Sequence, residues 1–147
     1  MPRVLANPSG SVDYSNLEYG VLMKFAYISG WKPAGTLEPV GWSDRTWPDG
    51  LPRPWRSMNY FSRLGQRVTD DDAAAMADAL EAVVDDVPSH DALSHKVATI
   101  IDLPFRRRIR LIKPGVYASP FEFFSGENKP LLYRHIEFCR VGGYTIQ

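Results

Sequence analysis

The chain has 147 residues, 44% of them hydrophobic and 12% aromatic, enough to bury a core without metal or disulfide staples. Seventeen Lys and Arg balance seventeen Asp and Glu, which argues against a protein that coats nucleic acid, and the single Cys139 excludes a disulfide framework or the usual cysteine-based structural zinc. No apolar run is long enough to cross a membrane and residues 1–10 lack the apolar core of a secretory signal, so a cytoplasmic protein with no membrane partner is expected.

Residues 1–12 are expected to form a loosely ordered N-terminal arm. A helix follows over Asn16 to Ser29: Ser15 and Glu18 stand at capping-box spacing, and Leu17, Val21, Phe25 and Ile28 fall on one face. Gly30 lets the chain leave it, and Gly20 in its middle points to close packing against a neighbour. From Trp31 to Trp55 the composition changes to hold all four tryptophans and five prolines, with a turn at Pro48-Asp49-Gly50. This reads as a long ordered loop, and loops of such length are pinned by their own side chains or carry function.

Asn59 to Val68 reads as a short extended pair, with Gly65 where a tight turn wants a positive φ. Thr69 then caps a helix whose first turn holds Asp70, Asp71 and Asp72. Its apolar stripe runs through Ala73, Met76, Ala77, Leu80, Val83, Val84 and Val87 to a stop at Pro88. The segment from His90 to Asp102 suits a helix or a strand. Arg108 to Val116 alternates as a strand, broken at Lys113-Pro114-Gly115. A last helix spans Pro130 to Val141 with Leu132, Ile136 and Cys139 facing the core; Gly142-Gly143 end it, and Tyr144 to Gln147 suit a closing strand. The fold class implied is α+β: one domain over residues 1–147, with about three helices on a small, mostly antiparallel sheet and a long Trp/Pro-rich ordered loop.

Three phrases, GWKPAGT (Gly30–Thr36), GQRVTDDDAAAMADALE (Gly65–Glu81) and IEFCRVGGYTI (Ile136–Ile146), resemble a set of small uncharacterised bacterial proteins in which they recur in this order. The resemblance implies a bacterial origin and a single domain. No activity is assigned to that set, so it transfers no site residues.

Sequences that carry nucleophilic or nucleotide chemistry have local signatures, and here there is no Gly-x-Ser-x-Gly elbow, P-loop or dinucleotide fingerprint. His135 and Cys139 form the only local thiol–imidazole pair, but the helical stripe places that thiol in the core. Asp91 and His95, with His90 nearby, and His135 with Cys139 are two disconnected pairs where zinc wants three or four ligands, so neither a metal nor a cofactor is expected. The Asp70–Asp72 run lacks the alternation of a calcium loop and suits helix capping.

Charge is segregated: residues 69–102 hold nine acids and one base, and residues 103–147 hold eight bases and three acids. Arg106, Arg107, Arg108, Arg110 and Lys113 form a candidate anion site, whose bland alternative is a solvated face. Trp42, Asp44, Arg45, Trp47, Trp55 and Arg56 form the candidate partner-binding surface, because Trp and Arg dominate interface hot spots and proline lowers the cost of ordering. The competing reading is that these tryptophans fold back over the core. A second aromatic cluster, Pro120-Phe121-Glu122-Phe123-Phe124, is either an exposed patch or a buried strand edge. The reading that collects most of these features is a non-enzymatic bacterial protein-binding module of inhibitor or immunity type, its partner another protein. A small enzyme with a fold-assembled His/carboxylate site, and a binder of nucleic acid or a phosphorylated ligand through Arg106–Lys113, are the alternatives.

Overall fold

The computed structural model of the chain describes residues 2–89, 99–103, 106–111 and 120–147, with the backbone alone for 99–103 and 106–111. The N-terminal stretch expected as a loose arm is instead a hairpin of β1 (Arg3–Asn7) and β2 (Gly10–Tyr14), paired from Arg3↔Tyr14 to Asn7↔Gly10. Its turn is built locally: the Asn7 side-chain oxygen accepts from the Ser9 amide at 2.9 Å and the Ser9 hydroxyl at 2.6 Å. Leu5 is then fully buried in the core, a long-range consequence that no helical or alternating pattern in residues 1–12 announces.

Helix α1 (Asn16–Ile28) has both halves of the capping box in place, Ser15 with Glu18. Every residue from Tyr19 to Ala26 is buried, while Leu17 and Ile28 are exposed, so the four-residue stripe expected for this helix is only half right. The helix packs against β2, α2 (Asp70–Val84) and α3 (Pro120–Phe123), leaving Leu17 near one end and Ile28 at the other in solvent. Gly20 does not mark a close approach: a Cβ placed there meets nothing within 4 Å. Lys24 is fully buried, its Nζ finds no hydrogen-bond partner among the described residues, and desolvation pulls its pKa below the usual lysine value.

Of the extended pair expected over Asn59 to Val68, only β3 (Gln66–Val68) forms. The reason is the buried Gln66 side chain. Its amide donates to the carbonyls of Asn59 at 3.2 Å and Ser62 at 2.5 Å, and its oxygen accepts from the Leu64 amide at 3.0 Å. Residues 59–64 wrap round that amide instead of pairing with β3. Helix α2 (Asp70–Val84) follows, with the Thr69 hydroxyl accepting from the Asp72 amide at 3.2 Å and Ala73, Met76, Ala77, Leu80 and Val84 buried. Strands β4 (Thr99–Leu103) and β5 (Arg106–Leu111) form a separate two-stranded sheet with an irregularity between Ile101 and Leu103. The segment that suited helix or strand is therefore a strand from Thr99; residues 90–98 and 112–119 lie outside the described residues.

Pro120–Phe123 is a one-turn helix, α3, and not a strand edge. Phe123 and Phe124 are buried and Phe121 is partly exposed, and Phe121 and Phe124 both rest on Phe25 with ring centroids 5.1 and 5.6 Å away. Helix α4 (Lys129–Val141) buries Leu132, Ile136 and Cys139 as their spacing predicts, and packs on α2. Strand β6 (Tyr144–Ile146) closes the main sheet, which has the order β2-β1-β6-β3 and is antiparallel throughout. Leu5, Gln66, Val68, Tyr144 and Ile146 point into the core, and their alternates Ala6, Arg67 and Thr145 lie on the opposite face. That face carries a shallow groove of about 530 Å³ between Ala6, Leu37, Arg67 and Thr145. The architecture is α+β, helices on one face of a small antiparallel sheet. Among the described residues, no helix is long and apolar enough to cross a membrane.

Candidate binding site on the tryptophan and proline segment

The segment from Trp31 to Trp55 is fixed at its base by one carboxylate. Asp72, in the first turn of α2 and 2% exposed, accepts from the Trp31 indole at 2.9 Å, the Ala34 amide at 3.1 Å and the Tyr60 hydroxyl at 2.5 Å. Tyr60 accepts in turn from the Gly35 amide at 2.8 Å, and its pKa is raised by burial and by the hydrogen bond to Asp72. Gly35 has a φ of +106° and a would-be Cβ 3.1 Å from Ser57 Cβ, so a side chain there would be both strained and crowded. Thr36 completes the clamp. Its amide donates to Ser57 O at 2.6 Å and its hydroxyl donates to the carbonyls of Ser57 and Asn59, each at 3.1 Å.

Leu37 then pairs with Arg67 through reciprocal backbone bonds of 2.8 and 3.0 Å, which covers the outer edge of β3. Beyond it the chain makes a self-contained excursion. A 3₁₀ turn at Trp42–Asp44 leads into a small hairpin, in which Thr46 bridges Pro52 and the Trp47 amide donates to Leu51 O at 2.7 Å. The turn at Pro48-Asp49-Gly50 forms as the sequence predicts, with Gly50 at φ +86° and Asp49 accepting from the Leu51 amide at 3.0 Å.

The four tryptophans divide between the two readings. Trp31 is core. Trp42 is 8% exposed and donates to Arg53 O at 2.9 Å, so it buries against its own segment. Trp55 is half-buried with its indole N–H 3.1 Å from Thr36 O, and meets Trp42 edge to face at a centroid distance of 5.0 Å. Trp47 is 46% exposed, with the Arg53 guanidinium 4.4 Å above its ring.

A cleft of about 200 Å³ is lined by Trp42, Trp47, Arg53, Trp55, Arg56 and Asn59. Four of the six residues expected from sequence to form a partner surface line it. Asp44 and Arg45 do not; both are exposed, and Arg45 stacks on the Trp42 ring at 5.0 Å. Arg53 and Asn59 escaped the sequence reading. The signal for Arg53 was present in the pairing of Arg45-x-Trp47 with Arg53-x-Trp55 across the Pro-Asp-Gly turn.

The other candidates separate from this cleft. His135 is wholly buried, with Nδ1 3.1 Å from the Tyr14 hydroxyl and Nε2 3.2 Å from Met76 Sδ and 3.4 Å from Cys139 Sγ. Burial pushes the His135 pKa down to about 3 and the Cys139 thiol up to about 12, so neither an imidazolium nor a thiolate forms near neutrality and the pair packs as core. His90, Asp91 and His95 lie outside the described residues, as does Lys113. Arg106, Arg107, Arg108 and Arg110 all sit on β5, of which the backbone alone is described. Among the described residues no three His, Cys, Asp or Glu side chains converge on a metal position. Searches with this chain return no matching family model, no matching curated protein and no matching solved structure.

Proposed function

We infer that the protein is a non-enzymatic binding module that captures another protein through the surface of the 37–56 segment, an inhibitor or immunity-type role being its most concrete form. The observation that supports this reading is a combination of rigidity and exposure. Trp47, Leu51 and Val40 are 46%, 60% and 90% exposed, on a segment whose backbone is held by the Asp72 clamp and its own hairpin bonds. Large apolar groups on a pre-ordered backbone lose little entropy when a partner covers them. A monomer gains nothing from leaving them in water. A cytoplasmic setting agrees with a single cysteine held as a buried free thiol.

The test is affinity capture from the cells that make the protein, run in parallel with wild type and with Trp47→Ala/Leu51→Ser. Both positions are exposed, so the thermal midpoint of the variant stays within about 2 °C of wild type, as expected for surface substitutions. A stoichiometric protein retained by wild type and lost from the variant supports the reading. Equal retention by both removes this surface from consideration.

A further inference from the structure

The cleft between the tryptophans is specific enough in size and charge to say what enters it. Its volume of about 200 Å³ falls below the ~300–1,000 Å³ usual for small-molecule and cofactor sites. One aromatic side chain fills such a space. The walls suit it: Trp42 and Trp55 meet edge to face, and Trp47 lines the same space. A ring inserted there finds indole faces and edges on several sides.

The rim is cationic. Arg53 and Arg56 line the cleft and Arg45 lies over the outer face of Trp42, and none of the three pairs with a carboxylate among the described residues. Arg53 Nε is in addition buried with no hydrogen-bond acceptor among the described residues. A buried N–H without an acceptor is a standing deficit that an incoming carboxylate would remove, and stacking on Trp47 holds the guanidinium in place to receive it. Asp49, in the turn of the same hairpin, accepts from the Leu51 amide. Resting on the protein-binding reading above, we propose that the cleft takes one aromatic side chain from an acidic segment of the partner protein, the ring enclosed by the tryptophans and a flanking carboxylate paired with Arg53. Single-stranded nucleic acid also joins rings to negative charge, but it is bound along rows of stacking faces in a basic groove. Here there is room for one ring, on a chain of zero net charge.

The four indole N–H groups of the full-length, ¹⁵N-labelled protein report on this directly by NMR, and Trp31, 1% exposed and bonded to Asp72, is the internal control. The probes are Ac-Glu-Asp-Trp-Glu-Glu-NH2, its basic counterpart Ac-Lys-Lys-Trp-Lys-Lys-NH2, its ring-less counterpart Ac-Glu-Asp-Ala-Glu-Glu-NH2, and hexathymidylate. The expected result is saturable shifts of the Trp42, Trp47 and Trp55 signals with the first peptide alone, a still Trp31 signal, and binding about tenfold weaker in Arg53→Gln, a loss equivalent to about 1.4 kcal/mol. Equal response to the basic peptide, equal response to the ring-less peptide, or stronger response to hexathymidylate overturns the assignment. A flat titration with all four probes, while Trp47→Ala/Leu51→Ser still loses its captured protein, overturns this occupant and leaves the binding surface standing. Unchanged capture by that double variant overturns the binding role itself.

Discussion

Replacing Asp72 by Ala should be among the most damaging single changes in the molecule, although position 72 reads as one of three interchangeable acids at a helix start. The carboxylate is 2% exposed and holds three donors: the Trp31 indole, the Ala34 amide and the Tyr60 hydroxyl. Ala34 is exposed, so its amide turns to water and contributes little. Trp31 and Tyr60 are 1% and 0% exposed, and each loses the hydrogen bond it gives to that carboxylate inside the core, at about 1–2 kcal/mol apiece. Loss of a charge at the N-terminal turn of α2 adds about 0.3–1 kcal/mol. The sum is a destabilisation of about 2–5 kcal/mol, a large share of the ~5–15 kcal/mol available to a domain of this size. Urea unfolding at neutral pH, followed separately by far-UV circular dichroism and tryptophan fluorescence, measures it. Tyr60→Phe should cost about 1.5–3 kcal/mol, because the Gly35 amide also loses its acceptor. The double variant should fall short of the sum by about 1 kcal/mol or more, as expected of groups in one network. A loss below about 1 kcal/mol for Asp72→Ala would refute the idea that this carboxylate anchors the tryptophan segment. So would strict additivity with Tyr60→Phe.

Two glycines should respond in opposite directions. Gly20→Ala adds a Cβ into open space inside α1 and should stabilise by about 0.5–1 kcal/mol, whereas Gly143→Ala drives a Cβ to 2.2 Å from Val68 O and should cost more than about 3 kcal/mol; thermal melts of both settle the pair. His135 makes stability depend on pH with a defined sign. Its folded pKa of about 3 lies below the ordinary 6.5, so below pH 6.5 the unfolded chain binds a proton that the folded chain refuses, and stability is lost as the pH falls from there towards 3. Between about pH 7.5 and 4.5 wild type should lose roughly 2–3 kcal/mol more than His135→Gln, read from urea midpoints across that range. Cys139 should react with a thiol reagent at neutral pH about 100-fold or more slowly in the native protein than in strong guanidinium, since its thiol is buried and held protonated up to about 12. A native rate near the denatured one would mean that the face of α4 carrying Cys139 is open.

The elements that could be read from sequence are those whose signals are local. The capping box at Ser15 and Glu18, the Thr69 cap with its acids, and the stripe Leu132, Ile136, Cys139 each specify a helix from within a dozen residues, and each forms. What stayed hidden depends on partners far along the chain. Strand β1 has a single large apolar residue facing inward, Leu5, and is a strand because β6 lies beside it. Gln66 looks like a surface residue, yet its amide organises residues 59–64 from a buried position. Asp72 looks like its neighbours Asp70 and Asp71, and only the arrival of Trp31 from 41 positions upstream distinguishes it. In the tryptophan segment the composition pointed to an ordered loop but not to its division of labour, which the hairpin decides by turning Trp42 inward and Trp47 outward.

The sheet order β2-β1-β6-β3 places β6 between two strands that precede it in the sequence. During synthesis, therefore, the β1–β2 hairpin and β3 are made early and have nothing to join them until Tyr144–Ile146 leaves the ribosome. Until then the edge of β1 that β6 will occupy is a bare row of amides and carbonyls, and the inward faces of Leu5 and Val68 have no strand between them. Closing the sheet brings Leu5 against Ile146 across nearly the whole chain, a contact of the most non-local kind. A nascent chain of this design waits for β6, and the interval before that strand emerges is when a chaperone has most to hold.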